Sequence, residues 1–252
     1  MSRTASHPTV LPRTIFLAGA TGAVGAPLTR LLLRAGHRVV GTTRTPAKAD
    51  ILRKLGAEPV VVDVFDRDAL IAAVTAARPE IVIHQLTDLP PALDPARMAE
   101  FVPRNARIRR EGSANLVAAA LAAGARRIIA QSIAWVYAPG PLPHIETDPL
   151  NHGAEGPGAV SVHGVIALED AVLQAPIEGV VLRYGYLYGP GTGSDIPSRA
   201  MSVHVDAAAQ AALLAIDRGR PGAYNVAEAS AELSTVKASD ELGWRADFRL
   251  PG

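Results

Sequence analysis

Ile15-Phe16-Leu17-Ala18-Gly19-Ala20-Thr21-Gly22-Ala23-Val24-Gly25, followed by the leucine-rich stretch Pro27 to Arg34, decides the fold. The apolar run ahead of the glycines predicts a strand. Leucines at 28, 31, 32 and 33 then predict a helix, with Gly36 as its stop. Glycine at every third position between strand and helix lets the backbone turn tightly. It also lets a pyrophosphate approach the first amides of the helix, where the dipole favours negative charge. Gly25 allows helix and strand to pack closely. The reading is a dinucleotide held on Gly19, Thr21, Gly22, Ala23, Val24 and Gly25.

Outward from this loop the pattern repeats. Strands are predicted at 38–42, 59–64, 80–84, 127–131 and 179–183, with a short one at 224–226. Helices are predicted at 47–55, 68–77, 98–123, 162–173 and 206–217, and Asp66 is placed to cap the second of these. Strands interleaved with helices imply an α/β fold, a Rossmann doubly wound parallel sheet. Ligands in such sheets bind beyond the carboxyl ends of the strands. Residues 138–158 and 188–197 are rich in proline and glycine and read as loops. The expected organisation is a flexible arm over 1–13 and one domain over 14–252. Its substrate-side elements lie mainly in 138–252 and form a small C-terminal cap.

Composition narrows the function. The 252 residues carry 25 basic and 24 acidic side chains, so net charge gives no reason to expect nucleic acid or an anionic membrane as partner. Aromatics are only 4%, too few for a base-stacking platform. Cysteine is absent, which removes disulfides, thiolate metal sites and cysteine nucleophiles. No histidine pair has metal-ligand spacing, so no metal is expected. The longest apolar stretch, Leu116 to Ala123, is too short to span a bilayer. A cytoplasmic protein acting on a small molecule is the expectation. Arg104, Arg107, Arg109 and Arg110 read as a solvated helix face.

The end of the second strand sets the cofactor's flavour. Gly41-Thr42-Thr43-Arg44-Thr45-Pro46-Ala47-Lys48 has no acid to hold a ribose diol, and it carries two cations. Arg44 can fork onto a 2′-phosphate and Lys48 can add a point charge, so NADP(H) is expected over NAD(H). Asp63 and Val64 end the third strand and suit an adenine. Gln85, Leu86 and Thr87 end the fourth and should run beside the cofactor. His84, a lone strand histidine, is read as structural.

Further motifs carry a resemblance. They are Thr43 to Lys48, Val62-Asp63-Val64, Gly112-Ser113-Ala114-Asn115-Leu116, Ser132 to Tyr137, Glu146-Thr147-Asp148-Pro149, Leu182 to Gly191, Val203-His204-Val205-Asp206 and Tyr224-Asn225-Val226. In this order and over most of the chain they resemble the short-chain dehydrogenase/reductase superfamily, on its extended or atypical branch. The resemblance implies that Tyr184 and Tyr186 lie on the loop crossing the nicotinamide. It also implies a homodimer through the helices at 104–123 and 162–173. The segment between Gly193 and Val203 is short for the extended branch, which implies a smaller or more open substrate pocket.

The family's catalytic residues do not transfer. Its serine or threonine stands four residues before the tyrosine of its "VYG" segment, a slot held here by Ile133. Counting back from Glu169 puts Val165 in the lysine slot and Ser161 in the tyrosine slot, and no lysine lies between Lys54 and Lys237. Ile133 and Val165 cannot move protons, and Ser161 has no cation to activate it. Replacement candidates on the same rim are His163, Tyr137 and Ser132, with Ile133, Ser161 and Tyr186 on the substrate. Hydride transfer needs mainly an oriented acceptor, and quinones or flavins demand little of a protein acid. The expectation is an NADP-dependent oxidoreductase with a non-standard mechanism. The alternatives are an NADP-binding regulatory protein without turnover, or an isomerase, epimerase or lyase on the same fold.

Overall fold

The computed structural model describes residues 11–156 and 158–251. Most of the expected N-terminal arm, residues 1–10, lies outside them.

The central strands of the sheet are apolar on both faces. Ile15 and Leu17 of β1 (Thr14–Ala18) point to one side, and Phe16 and Ala18 to the other; all four are buried. That pattern belongs to a parallel sheet covered by helices above and below. The other strands are β2 (Arg38–Thr43), β3 (Glu58–Val61), β4 (Ile81–His84), β5 (Arg127–Ile133), β6 (Glu178–Tyr184), β7 (Tyr186–Tyr188), β8 (Ser202–His204) and β9 (Gly222–Val226). Seven of them form one parallel sheet in the order β3-β2-β1-β4-β5-β6-β9. The strand order reverses between β1 and β4, which opens a crevice at their carboxyl ends.

Helices α1 (Gly25–Arg34) and α7 (Val205–Leu214) cover one face, where Leu28, Leu32, Ala208 and Ala212 meet Ile15, Leu17, Ile81 and Ile83. Helices α3 (Arg67–Ala77), α5 (Ser113–Ala122) and α6 (Ala159–Leu173) cover the other through Leu70, Val74, Leu116, Ala120, Leu168 and Val172. Helix α2 (Pro46–Leu55) joins β2 to β3. The Asp66 carboxylate accepts the Ala69 amide at 3.1 Å, the cap expected for α3.

The helix expected over 98–123 divides into α4 (Met98–Arg107), a π-helical turn (Ile108–Gly112) and α5. A π turn holds an extra residue, so the side chains beyond it are rotated against the α-helical pattern. The basic run is accordingly not one solvated face. Arg104 and Arg107 are exposed and paired with acids, whereas Arg109 is buried. Two further expectations need correction. The loop read over 188–197 begins on the last residue of β7, Tyr188, and β8, in a stretch given no strand, pairs with β7 in parallel. Helix α6 begins at Ala159, so His163 falls on its second turn rather than its first. Among the described residues no helix is long and apolar enough to cross a membrane, and no cluster of three metal-binding side chains occurs.

Candidate active site

The glycine loop is fixed by what surrounds it. A Cβ on Gly19, whose φ is +87°, would lie 2.6 Å from the Gln85 carbonyl oxygen. A Cβ on Gly25 would lie 2.0 Å from the Gly19 carbonyl oxygen, so α1 can start this close to β1 only with glycine there. A Cβ on Gly22 would make only ordinary contact, 3.4 Å from the Gly19 carbonyl oxygen. No side chain caps the first turn of α1 and no acid lies on it, which leaves its positive end for an anion.

A cleft runs along the carboxyl ends of β1 to β4. Gly19, Thr21 and Gly22 form one wall, and Thr43, Arg44, Thr45 and Lys48 the next. Asp63, Val64 and Phe65 close the far end, while Gln85, Leu86 and Thr87 line the side toward β5. The other three residues of the expected glycine-loop set sit behind this surface. Val24 and Gly25 are buried, and Ala23 packs under the loop at Gly191. Arg44 is largely exposed, and its nearest carboxylate, Asp88, is 3.8 Å away and already bonded to Arg104. Among the described residues Lys48 has no acidic partner. Asp63 accepts the Phe65 amide at 2.9 Å, which shapes the turn after β3.

Gln85 is buried beside the cleft. Its Nε2 donates to the Tyr184 hydroxyl at 3.3 Å, and its Oε1 has no partner among the described residues. Tyr184 itself is 2% exposed, and burial pushes its hydroxyl well above the usual tyrosine range. It is therefore a neutral donor rather than a base. His84 is also buried. Its Nδ1 accepts the Leu86 amide at 3.1 Å, and its Nε2 lies 3.1 Å from the Ser113 hydroxyl, which makes it a tie between β4 and α5.

Beneath the substrate side lies a closed polar network. Ser132 donates to Glu169 Oε1 at 2.6 Å, and Arg183 binds both oxygens of Glu169 at 3.0 and 2.7 Å. Arg183 also donates to the Tyr137 hydroxyl at 2.7 Å, and that hydroxyl donates to Asn225 Oδ1 at 2.6 Å. Burial pushes the Tyr137 hydroxyl upward in spite of Arg183. The hydroxyl protons of Ser132 and Tyr137 are thus spent inside the protein. The catalytic roles expected for these two residues conflict with this geometry. The sequence pattern did not show the conflict, because the acceptors lie 37 and 88 positions away.

His163 is exposed, and its Nε2 lies 3.2 Å from the His152 carbonyl oxygen. It does not line the cleft, so the acid/base role expected for it also lacks a geometric basis. Ile133 and Val165 are buried and apolar. Ser161 sits on the first turn of α6, where its carbonyl oxygen accepts Arg109 at 3.1 Å. Tyr186 stacks flat on Trp135, with centroids 4.1 Å apart, and Arg199 covers the ring of Tyr186 at 4.4 Å. Trp135 and Tyr137 help to line a cavity of about 300 Å³ with Leu142, His144, Met201 and Glu232. Neither Trp135 nor Arg109 was singled out from sequence as a site residue. A tryptophan next to the "VYG"-like segment was the available signal for the first, and nothing in the pattern marked the second.

The family model described as "NAD dependent epimerase/dehydratase family" matches residues 15–221. The chain belongs to this family. A curated relative, the 3-diazoavenalumate denitrifying reductase of a Streptomyces species, is 40% identical over 235 residues, covering 85% of this chain and 75% of the relative. Among solved structures, the UDP-glucose 4-epimerase of Thermotoga maritima with UDP-glucose superposes with a TM-score of 0.75 at 18% identity, covering 94% of each chain. The Bordetella bronchiseptica enzyme WbmG in complex with NAD and UDP gives a TM-score of 0.74 at 20% identity over 96% of this chain and 92% of that one. At those identities the likeness establishes the fold. Membership of the family makes this chain one of a group of epimerases, dehydratases and reductases that work with a nicotinamide nucleotide.

Proposed function

We infer that the chain is an NADPH-dependent reductase, and that its acceptor needs no proton from the protein. One observation carries this reading. The cofactor cleft is formed, while the hydroxyls of Ser132 and Tyr137 are bonded internally, His163 is turned to solvent, and positions 133 and 165 are apolar. The residues fit the cofactor. Gly19 and Gly25 let the loop turn tightly against β4 and its own backbone, where a Cβ would collide with the Gln85 and Gly19 carbonyl oxygens, and the α1 terminus has no acid of its own. Gln85 Oε1 is a buried acceptor in need of a donor, and a ligand lying along the cleft can provide it. Arg44, just past the end of β2 with only Asp88 near it at 3.8 Å, and Lys48, on the first turn of α2 with no acidic partner among the described residues, suit a 2′-phosphate. A reduced nicotinamide, when bound, supplies hydride.

The protein's part is orientation and exclusion. Reduction of an ordinary carbonyl leaves an alkoxide that a nearby acid must protonate. Ile133, Val165 and a buried Tyr137 offer none. An aryl diazonium acceptor differs: hydride forms a carbon–hydrogen bond at the ring carbon while the carbon–nitrogen bond breaks and its electron pair leaves with dinitrogen, so the cation and hydride give the neutral arene and dinitrogen with no proton required. The name of the Streptomyces relative describes such a reduction. The stacked Trp135 and Tyr186 suit a planar, aromatic acceptor. A cytoplasmic homodimer completes the proposal.

The test measures NADPH oxidation against protein-free controls for a panel of benzaldehydes, quinones and benzenediazonium salts, with dinitrogen release followed in parallel. Protein-dependent turnover is expected for the diazonium salts and not for the aldehydes. Comparable aldehyde turnover would overturn the reading.

A further inference from the structure

The cavity of about 300 Å³ has a histidine in its wall. His144 lines it together with Trp135, Tyr137, Met201 and Glu232. Three constraints fix the ring. It stacks nearly flat on Tyr137, with centroids 4.8 Å apart and planes at 10°, and Tyr137 is itself pinned by Arg183 and Asn225. The His144 amide donates to the Glu232 carbonyl at 2.9 Å, and its carbonyl accepts the Ser234 amide at 2.9 Å, so the backbone is tied on both sides. Nδ1 lies 2.9 Å from Asp148 Oδ2.

The last contact sets the chemistry of the free nitrogen. The imidazole, with the Ile145 amide at 3.2 Å on the same oxygen, holds the Asp148 carboxyl below its usual range. An ionised carboxylate only accepts, so a neutral imidazole beside it carries its proton on Nδ1. Nε2 is then a lone-pair acceptor, and among the described residues it has no hydrogen-bond partner. The Glu232 carboxylate is a second acceptor in the wall, and the Tyr137 hydroxyl is committed to Asn225. Apart from the indole N–H of Trp135, the polar side-chain atoms left in this wall accept, and a ligand must donate to them. The cavity also borders the cofactor cleft. The Ala134 amide in its wall donates to the Tyr184 carbonyl at 2.9 Å, and the Tyr184 hydroxyl accepts Gln85 of the cleft at 3.3 Å.

We propose that His144, oriented by Asp148, selects the substrate: its Nε2 accepts a hydrogen bond from a hydroxyl on an aromatic ring packed against Trp135. The substrate class is a phenol rather than an arene without a donor. This rests on the reductase reading and adds to it the group by which the substrate is held. A neutral imidazole with its proton on Nδ1 has none to give from Nε2. His144 therefore orients the ring and leaves the hydride step without a protein acid.

The test uses the NADPH-loaded protein at pH 8, titrated by calorimetry with 4-ethylphenol and 2-naphthol and with their methyl isosteres, 4-ethyltoluene and 2-methylnaphthalene. NADPH loading is checked first by its fluorescence; failure there overturns the reductase reading and is distinct from the outcomes that follow. An apolar wall alone would favour the methyl compounds, because burying a hydroxyl without a partner costs free energy. The wild type should instead bind at least one phenol about fivefold or more tighter than its isostere. His144→Phe, which keeps a ring on Tyr137 and removes Nε2, should abolish or reverse that preference while NADPH affinity stays unchanged. Glu232→Gln should keep it. Equal or tighter binding of the methyl compounds by the wild type, no binding of either phenol, or a preference that survives in His144→Phe would each overturn the proposal. Loss of the preference in Glu232→Gln would move the contact to Glu232 and overturn it as well. The wild-type comparison needs no variant, so poor folding of His144→Phe would not spare the proposal from its test.

Discussion

Arg44 and Arg183 differ in how much of each guanidinium the protein itself occupies. Arg183 is held by a carboxylate, a phenol and a carbonyl, and nothing is left for a ligand. Arg44 stands at the mouth of the cleft with only Asp88 nearby, at 3.8 Å. Removing it should therefore cost a ligand contact and little else. Arg44→Ala is expected to weaken NADPH by about tenfold to a hundredfold, the range of a lost charge-assisted bond. NADH, which lacks the 2′-phosphate, should bind as before. Fluorescence titration with both nucleotides checks this, and equal losses would remove Arg44 from the 2′-phosphate. The cations at 44 and 48 were legible in the sequence because they follow directly on a recognisable strand. The fates of Ser132 and Tyr137 were not, because a hydroxyl's availability depends on what folds against it.

At the scale of elements, the joint between β4 and α5 has a pH dependence of its own. His84 is fully buried, and desolvation, assisted by Arg109, lowers its pKa from 6.5 to about 4. Between those values the unfolded chain binds a proton that the folded chain refuses. Stability should therefore fall as pH drops from about 6.5 to about 4, by at most about 3 kcal/mol from this group. Buried His37 is shifted in the same direction, so the informative quantity is the difference between wild type and His84→Asn. Urea unfolding at pH 7 and pH 5 should show a smaller loss in the variant; identical losses would show that His84 does not control this joint. Element boundaries in the first half were readable from glycines, prolines and apolar spacing. The π turn was not, since an inserted residue leaves the sequence looking like one long helix. It takes Arg109 out of the solvated basic run, while Arg104, Arg107 and Arg110 stay on the surface.

For the whole molecule, the resemblance implies association through α4–α5 and α6. Leu121 is 39% exposed, Val160 42% and Leu173 40% on these helices, so apolar surface is available there. Light scattering should give about twice the 26.3 kDa of one chain, and Leu121→Glu should shift the population toward monomer. A monomeric wild type would remove the dimer from the proposal. By itself the sequence determined the strand–glycine loop–helix start, the parallel sheet of alternating elements, and the family. All of these are encoded by residues near one another along the chain, where periodicity and backbone freedom act. Only the tertiary structure decided which polar groups are free to act. The hydroxyls of Ser132 and Tyr137 are bonded to Glu169 and Asn225, His163 faces outward, and Arg109 is turned inward. Hydrogen-bond satisfaction and burial are set by partners tens of residues away, and no local pattern reports them.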